Sequence, residues 1–377
     1  MACREAEFHY SSACAEFLRQ SRLGESQLFL SQFAARSVRL RLLAGVVRVC
    51  VHFSGKNYFK MGLGGKQEQE YTFTLPEPEK KKALEELRED DNSREQSLDQ
   101  MREWIAKHPN IKRCRTDAPF LLRFLRTKKF SVPQSCEMLE RYLTIRQLYP
   151  QWFSKLDPED KDLADIIDSG YLVPLLERDN GRKVIFSCVS NFDAHRYTSA
   201  HMIRVHSLVT EALMDDEINQ INGYTYINDE GGFTMSHISL WSLTDVRNIL
   251  RCIQNTTPMR HKANHFLNIA PGALKLIEFA VSLLNEKLKS RIFMYKTVEE
   301  LHQNVDKKAL PKEYGGEVSY QEMLDQFKAF LKEKREAILA LDDMYIEIDE
   351  KNCPLVSEMN EELGMGIEGS FKKLTVD

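Results

Sequence analysis

Lys287, Lys289 and Arg291 close a strongly apolar stretch of this chain, Ala273–Arg291 (ALKLIEFAVSLLNEKLKSR). A local cluster of this kind is where phosphate binding would have to come from, because the net charge of the whole chain is only −4. Other residues that could do chemistry are poorly supported. Asp229-Glu230 precede Gly231-Gly232, where an active-site loop could sit, but no base or nucleophile accompanies them. Turn hydrogen bonds are the simpler use of those carboxylates. His261 and His265 are four residues apart, and in a strand that separation is about 13 Å, too far to share a metal. No G-x-G-x-x-G, P-loop, G-x-S-x-G elbow or H-E-x-x-H occurs, and no cysteine has an arginine six residues on. Gly62-Leu63-Gly64-Gly65 is a poor phosphate loop. None of these residues argues for catalysis, a cofactor or a metal site, and the residues alone leave an enzyme open.

The elements must explain the oily stretch. Between Leu274 and Leu284, eight of eleven residues are apolar. Lys275, Glu278 and Ser282 follow i, i+3, i+7 spacing and form one narrow polar stripe. Such a helix is buried on several sides or sometimes faces lipid. At about 1.5 Å per residue it is too short to span a bilayer core of roughly 30 Å. The segment alone leaves both readings open.

At 377 residues and 42% hydrophobic content, the chain can hold two domains or one large domain with appendages. Nothing global suggests nucleic acid. Eight scattered cysteines without a CxxC pair fit free thiols in a reducing compartment, and no segment reads as a transmembrane helix, so a cytoplasmic protein is expected. The first sixty residues carry nine Lys/Arg against four Glu, a net +5 that leaves −9 for the rest. Residues 1–76 read as a disordered extension.

Residues 77–150 read as a small helical bundle. Helices are expected at Pro78–Arg88, Ser93–His108, Phe120–Thr127 and Val132–Leu148, with Arg123 and Arg126 facing outward. From about Gly170 the pattern alternates. Strands at Tyr171–Leu176 and Lys183–Val189 form a hairpin, and helices at Ser199–Asp215 and Leu243–Gln254 separate strands at Tyr224–Asn228 and His261–Asn268. A further strand follows at Arg291–Tyr295, then a turn at Leu310–Gly316 and a long charged helix at Tyr320–Leu341. This order implies an α/β fold: a mainly parallel sheet covered by helices. Residues 151–341 form that domain and 342–377 a tail.

Four segments in order carry a family likeness. Asp117–Phe130 (DAPFLLRFLRTKKF) resembles the helical N-terminal motif of CRAL-TRIO lipid-binding proteins. Gly223–Gly232 (GYTYINDEGG) resembles their strand and turn, His265–Pro271 (HFLNIAP) the strand entering a gate helix, and Leu310–Gly316 (LPKEYGG) the closing motif. Within the family, the segments resemble the alpha-tocopherol transfer protein and retinaldehyde-binding protein group. The resemblance implies a helical domain packed on an α/β domain, with a mobile gate helix over an apolar pocket. It implies no enzyme activity, one hydrophobic small-molecule lipid as ligand, and transfer of that ligand between membranes. An adaptor that senses lipid and recruits a partner through the Tyr320–Leu341 helix is the alternative.

By the same resemblance, the gate carries Leu274, Ile277, Phe279, Val281 and Leu284, and pocket positions fall on Ile203, His206, Thr210, Tyr224, Asn228, Ile253 and Met259. Phosphoinositide head groups would meet Lys128, Arg260, Lys262, Lys287, Lys289 and Arg291, so a monomer that associates peripherally with membranes is expected. His206 and Asn228 depart from the tocopherol branch and put tocopherol itself in doubt.

Overall fold

A computed structural model describes residues 72–348. The expectations for the extension, for Gly62–Gly65 and for the tail beyond residue 348 lie outside the described residues.

The first helices are α1 (Glu77–Lys82), α2 (Asp91–Lys107), α3 (Ala118–Thr127), α4 (Val132–Leu148), α5 (Pro150–Phe153) and α6 (Lys161–Asp168). Their starts follow local chemistry. Asp90 accepts from Ser93 N at the head of α2, and Asp117 caps α3 by accepting from Phe120 N. Proline occupies the first turns of α3 and α4, where no N–H is needed.

Five strands follow in one sheet, β2 (Leu172–Asp179), β3 (Arg182–Cys188), β4 (Tyr224–Asp229), β5 (His261–Leu267) and β6 (Ile292–Tyr295), in the spatial order of the sequence. β2 and β3 are an antiparallel hairpin, and the remaining pairings are parallel. Asn180 (φ 49°) and Gly181 (φ 81°) supply the two left-handed residues that such a two-residue turn requires. Helices α7 (Ser199–Leu213), α8 (Glu217–Asn222), α9 (Met235–Ser239), α10 (Leu243–Asn255), α11 (Pro271–Ser282), α12 (Glu286–Lys289), α13 (Val298–Leu301) and α14 (Tyr320–Leu339) complete the domain. The α/β architecture read from the sequence is the one observed.

The sheet's two faces have different partners. Phe186 and Ile227 are paired on one face, where Phe186 packs on Tyr314 and Tyr320 with ring centroids 4.8 and 5.7 Å away. Tyr226 and Asn228 lie on the opposite face with Asn264 and Ile292. α14 buries Met323, Leu324, Phe327 and Leu331 in the main core, so one face of this charged helix is structural.

Two expectations change here. Arg123 and Arg126, expected on an outward face, are among the most buried side chains of the described residues, at 1% and 0% exposure. α3 is surrounded, and carboxylates of α7, α8, the turn between them and the α1–α2 connection neutralise its arginines. Arg123 pairs with Glu211 at 2.8 Å and Asp215 at 2.6 Å, and Arg126 with Glu89 at 2.7 Å and Glu217 at 2.9 Å. The chain beyond Leu341 is also not simply a tail. β7 (Tyr345–Ile346) pairs antiparallel with β1 (Ile111–Arg113), and Leu341, Met344 and Ile346 join the core of α2, α3 and α4.

Candidate ligand site

A cavity of about 340 Å³ lies between the Tyr226–Asn228 face of the sheet and helices α7 and α10. α7 contributes Ile203, His206 and Thr210 at helical spacing, and α10 contributes Ile249, Leu250, Cys252 and Ile253. The sheet supplies Tyr226, Asn228, His261, Ala263, Asn264 and Ile292, with Met259 entering β5.

Six of the seven expected pocket residues line this cavity, and Tyr224 does not. Tyr224 shares a strand face with Tyr226 and Asn228, but it does not line the cavity and donates its hydroxyl to Leu213 O at 3.2 Å. Tyr226 takes the lining position. The alternation that placed Asn228 inward also marks Tyr226, so the sequence carried that signal.

The gate expectation needs a larger correction. Leu274, Ile277, Phe279 and Val281 do not line the cavity, and of the five gate residues only Leu284 does, joined by Leu288 from α12. The place directly over the cavity is taken by α10. α11 stacks outside it, with Leu276, Phe279, Ala280 and Leu283 packed against Ile238 and Val246 of α9 and α10. Leu274 remains exposed, and so do Phe293 and Met294 on edge strand β6.

The polar groups of the cavity are mostly engaged with the protein. His206 Nε2 is 3.0 Å from the Tyr171 hydroxyl, and Thr210 donates to His206 O at 2.9 Å. Asn228 accepts from Ser187 at 2.9 Å and donates to Asn264 Oδ1 at 2.6 Å. Burial pulls His206 down to about 4, so its ring is neutral near pH 7. Burial, with Arg291 adding to it, does the same for His261, also down to about 4.

Outside the cavity the expected cations fall into groups. Lys287 is held below its ordinary range by partial burial and by Arg291, Lys129, Arg260 and Lys128 around it. Arg291 is lowered by burial and then by Arg260 and Arg182. Lys128, Arg260, Lys287 and Arg291 therefore share one electropositive face, and Lys129 and Arg182 join it. Lys129 (φ 52°) and Phe130 (φ 60°) end α3 in two left-handed residues. Gly223 makes the close approach at Arg260 possible, since a Cβ there would lie 2.4 Å from Arg260 O. Lys262 pairs with Glu86 at 3.1 Å, and Lys289 with Glu286 at 2.9 Å. Arg291 belongs to both places: it lines the cavity and stands in the basic face.

Among the described residues, no helix is long and apolar enough to cross a membrane, and no group of three His, Cys, Asp or Glu could hold a metal ion.

Residues 168–316 match the family model described as CRAL/TRIO domain, and residues 90–163 match that described as Pinta-like, UBA domain. Clavesin-2 of Rattus norvegicus is 29% identical over 284 residues, covering 75% of this chain and 85% of that protein. Clavesin-1 of Xenopus laevis is 31% identical over 243 residues, 64% of this chain and 73% of its own length. A solved structure titled "Crystal structure of Sfh5" covers 66% of this chain and 99% of its own at 13% identity and a TM-score of 0.45.

Proposed function

The chain belongs to the CRAL-TRIO family, and from that premise we propose that it is a non-catalytic carrier of one hydrophobic molecule. The carrier extracts its ligand from one membrane and releases it at another that bears phosphoinositides. The observation that carries this reading is the junction at Arg291, where an apolar cavity meets a convergent basic face. A cavity of about 340 Å³ is near the lower end of the roughly 300–1,000 Å³ of ligand sites. Its lining is mostly aliphatic and aromatic, so an apolar ligand is held by burial at about 25 cal/mol per Å².

Lys128, Arg260, Lys287 and Arg291 form the core of the proposed head-group site. Lys129 and Arg182 extend it, and Lys262 stands at its border. The exposed Leu274, Phe293 and Met294 lie on the neighbouring α11 and β6, and they give the same region apolar groups able to enter a bilayer surface. Opening requires α11 to leave its packing on α9 and α10, which makes α10 and α11 together the gate. The boundaries proposed for this carrier are a helical unit over 77–150 and a lipid-binding unit over 151–341. It works as a monomer, peripheral to membranes facing the cytoplasm.

Transfer of a fluorescent lipid between donor and acceptor vesicles tests the reading. Acceleration by the protein, greater with phosphoinositide in the acceptor, is expected. A protein that binds vesicles but leaves the transfer rate unchanged would instead be a lipid-sensing adaptor.

A further inference from the structure

The cavity wall has one unmet hydrogen-bonding demand, and it sits beside an unneutralised charge. Among the described residues, His261 Nε2 is the buried cavity-lining nitrogen without a partner. The other expected polar contacts of the cavity are already used: His206 by Tyr171, Thr210 by a backbone carbonyl, and Asn228 by Ser187 and Asn264. A buried nitrogen left unpaired is costly, so a partner arriving with the ligand is strongly favoured.

Arg291 supplies the second observation independently. One of its guanidinium nitrogens donates to His261 O, which fixes it against the same residue. Among the described residues Arg291 has no ion pair, and the charges around it are Arg260, Arg182 and Lys287, all cationic. Glu86 meets Arg260 and Lys262 but not Arg291. A cation on a cavity wall with no counter-ion asks for an anionic ligand group.

Resting on the carrier reading, we propose that the cavity takes a single-chain lipid with an anionic head, a carboxylate or a phosphate monoester, seated between His261 and Arg291. The His261 Nε2–H donates to one head-group oxygen, and the Arg291 guanidinium pairs with the charge. The tail runs along Ile203, Ile253, Met259 and Trp241, and the modest cavity volume suits one chain. His261 stays neutral in the empty cavity, since burial and Arg291 both oppose its protonation. Its ring can therefore present one N–H without adding a buried charge.

The test uses the full-length protein stripped of lipid and three probes of one chain length: oleate, 1-oleoyl lysophosphatidate and oleyl alcohol. Displacement of a fluorescent fatty-acyl probe reports their affinities. At least one anionic probe should bind about tenfold more tightly than the alcohol, and the tighter of the two identifies the head. His261→Val and Arg291→Met should each reduce that preference to about twofold. A second readout separates head-group recognition from misfolding: His261→Val removes the orphaned nitrogen, so the ligand-free variant should melt above the parent. Alcohol binding as tight as both anions, or a preference that survives both substitutions, overturns the anionic-head proposal while leaving the carrier reading intact. If none of the three probes binds, both fall.

Discussion

Glu86 accepts from Arg260 at 2.6 Å and from Lys262 at 3.1 Å, so one carboxylate already holds two cations of the basic face. Glu86 sits in the turn Ala83–Leu87 that continues α1, and Ala83 and Leu87 anchor that turn against Ile221 and Leu75. Burial pushes its carboxyl up, but hydrogen bonds and charge from Arg260 and Lys262 outweigh that and hold it below the usual range. The carboxylate is thus a built-in competitor for any phosphate approaching Arg260.

Removing that competitor should strengthen membrane binding. Glu86→Gln is expected to raise affinity for phosphoinositide vesicles about fivefold for each of Arg260 and Lys262 that it frees, since each Lys or Arg near an anionic surface is worth about 1 kcal/mol. Vesicle co-sedimentation at fixed ionic strength measures it. Unchanged affinity would mean that Arg260 and Lys262 do not reach the lipid.

Reversing charge on the far side of the same face should do the opposite. Lys128 and Lys287 do not line the cavity, so Lys128→Glu with Lys287→Glu attacks membrane contact without touching the cavity wall. At about 1 kcal/mol for each cation lost, a tenfold or greater weakening of vesicle binding is expected, and raised salt should shrink it. Equal binding by parent and variant would remove this face from the mechanism.

The sequence showed these elements better than it showed their depth. Alternating strands and helices, with the Asn180-Gly181 turn, specified the sheet because a two-residue hairpin and parallel crossovers leave few alternatives. Arg123 and Arg126 read as an outward face because charge normally marks solvent. Their partners Glu211, Asp215 and Glu217 lie some ninety residues away, and nothing local announces such pairing. The distance of α11 from the cavity was hidden for a similar reason. Apolar content marks α11 as buried somewhere, but it cannot say that α10 stands between it and the cavity. His261 was visible only as a residue too far from His265 to share a metal. Its importance comes from what it lacks, and an absent partner has no sequence signature.

The buried pairs around α3 should be costly to break singly. Arg126 is fully buried, with Glu89 2.7 Å away and 1% exposed in its side chain. Arg126→Met leaves that carboxylate to Arg94, 4.0 Å away, and removes the pair with Glu217, for an expected loss of about 3–5 kcal/mol in urea unfolding. Adding Glu89→Gln should recover part of that loss, because that buried charge is then gone. Strict additivity of the two substitutions would mean that the pair is not energetically coupled.

Acid should unfold the protein in two stages, in a direction set by the groups that burial and pairing have shifted. His206, His261 and His265 are each pulled down to about 4, in every case first by burial. The unfolded chain protonates them near 6.5, so it binds more protons than the native state between about pH 6.5 and 4, and stability falls as pH drops through that window. Each contributes about 3 kcal/mol at most, the equivalent of a shift from about 6.5 to about 4. Asp215 acts lower. Burial raises its carboxyl, but Arg123 and Arg115 prevail and bring it down to about 2, so its stabilisation is complete above its ordinary value near 3.8 and is lost as pH falls towards 2. Urea midpoints measured from pH 8 to pH 2 should therefore decline first below about pH 6.5 and again below about pH 4. His206→Gln should flatten only the upper decline. A stability profile level from pH 7 to pH 4 would mean that these histidines take up protons as readily in the folded protein as in the unfolded chain, and the neutral, apolar character assigned to the cavity would have to be abandoned.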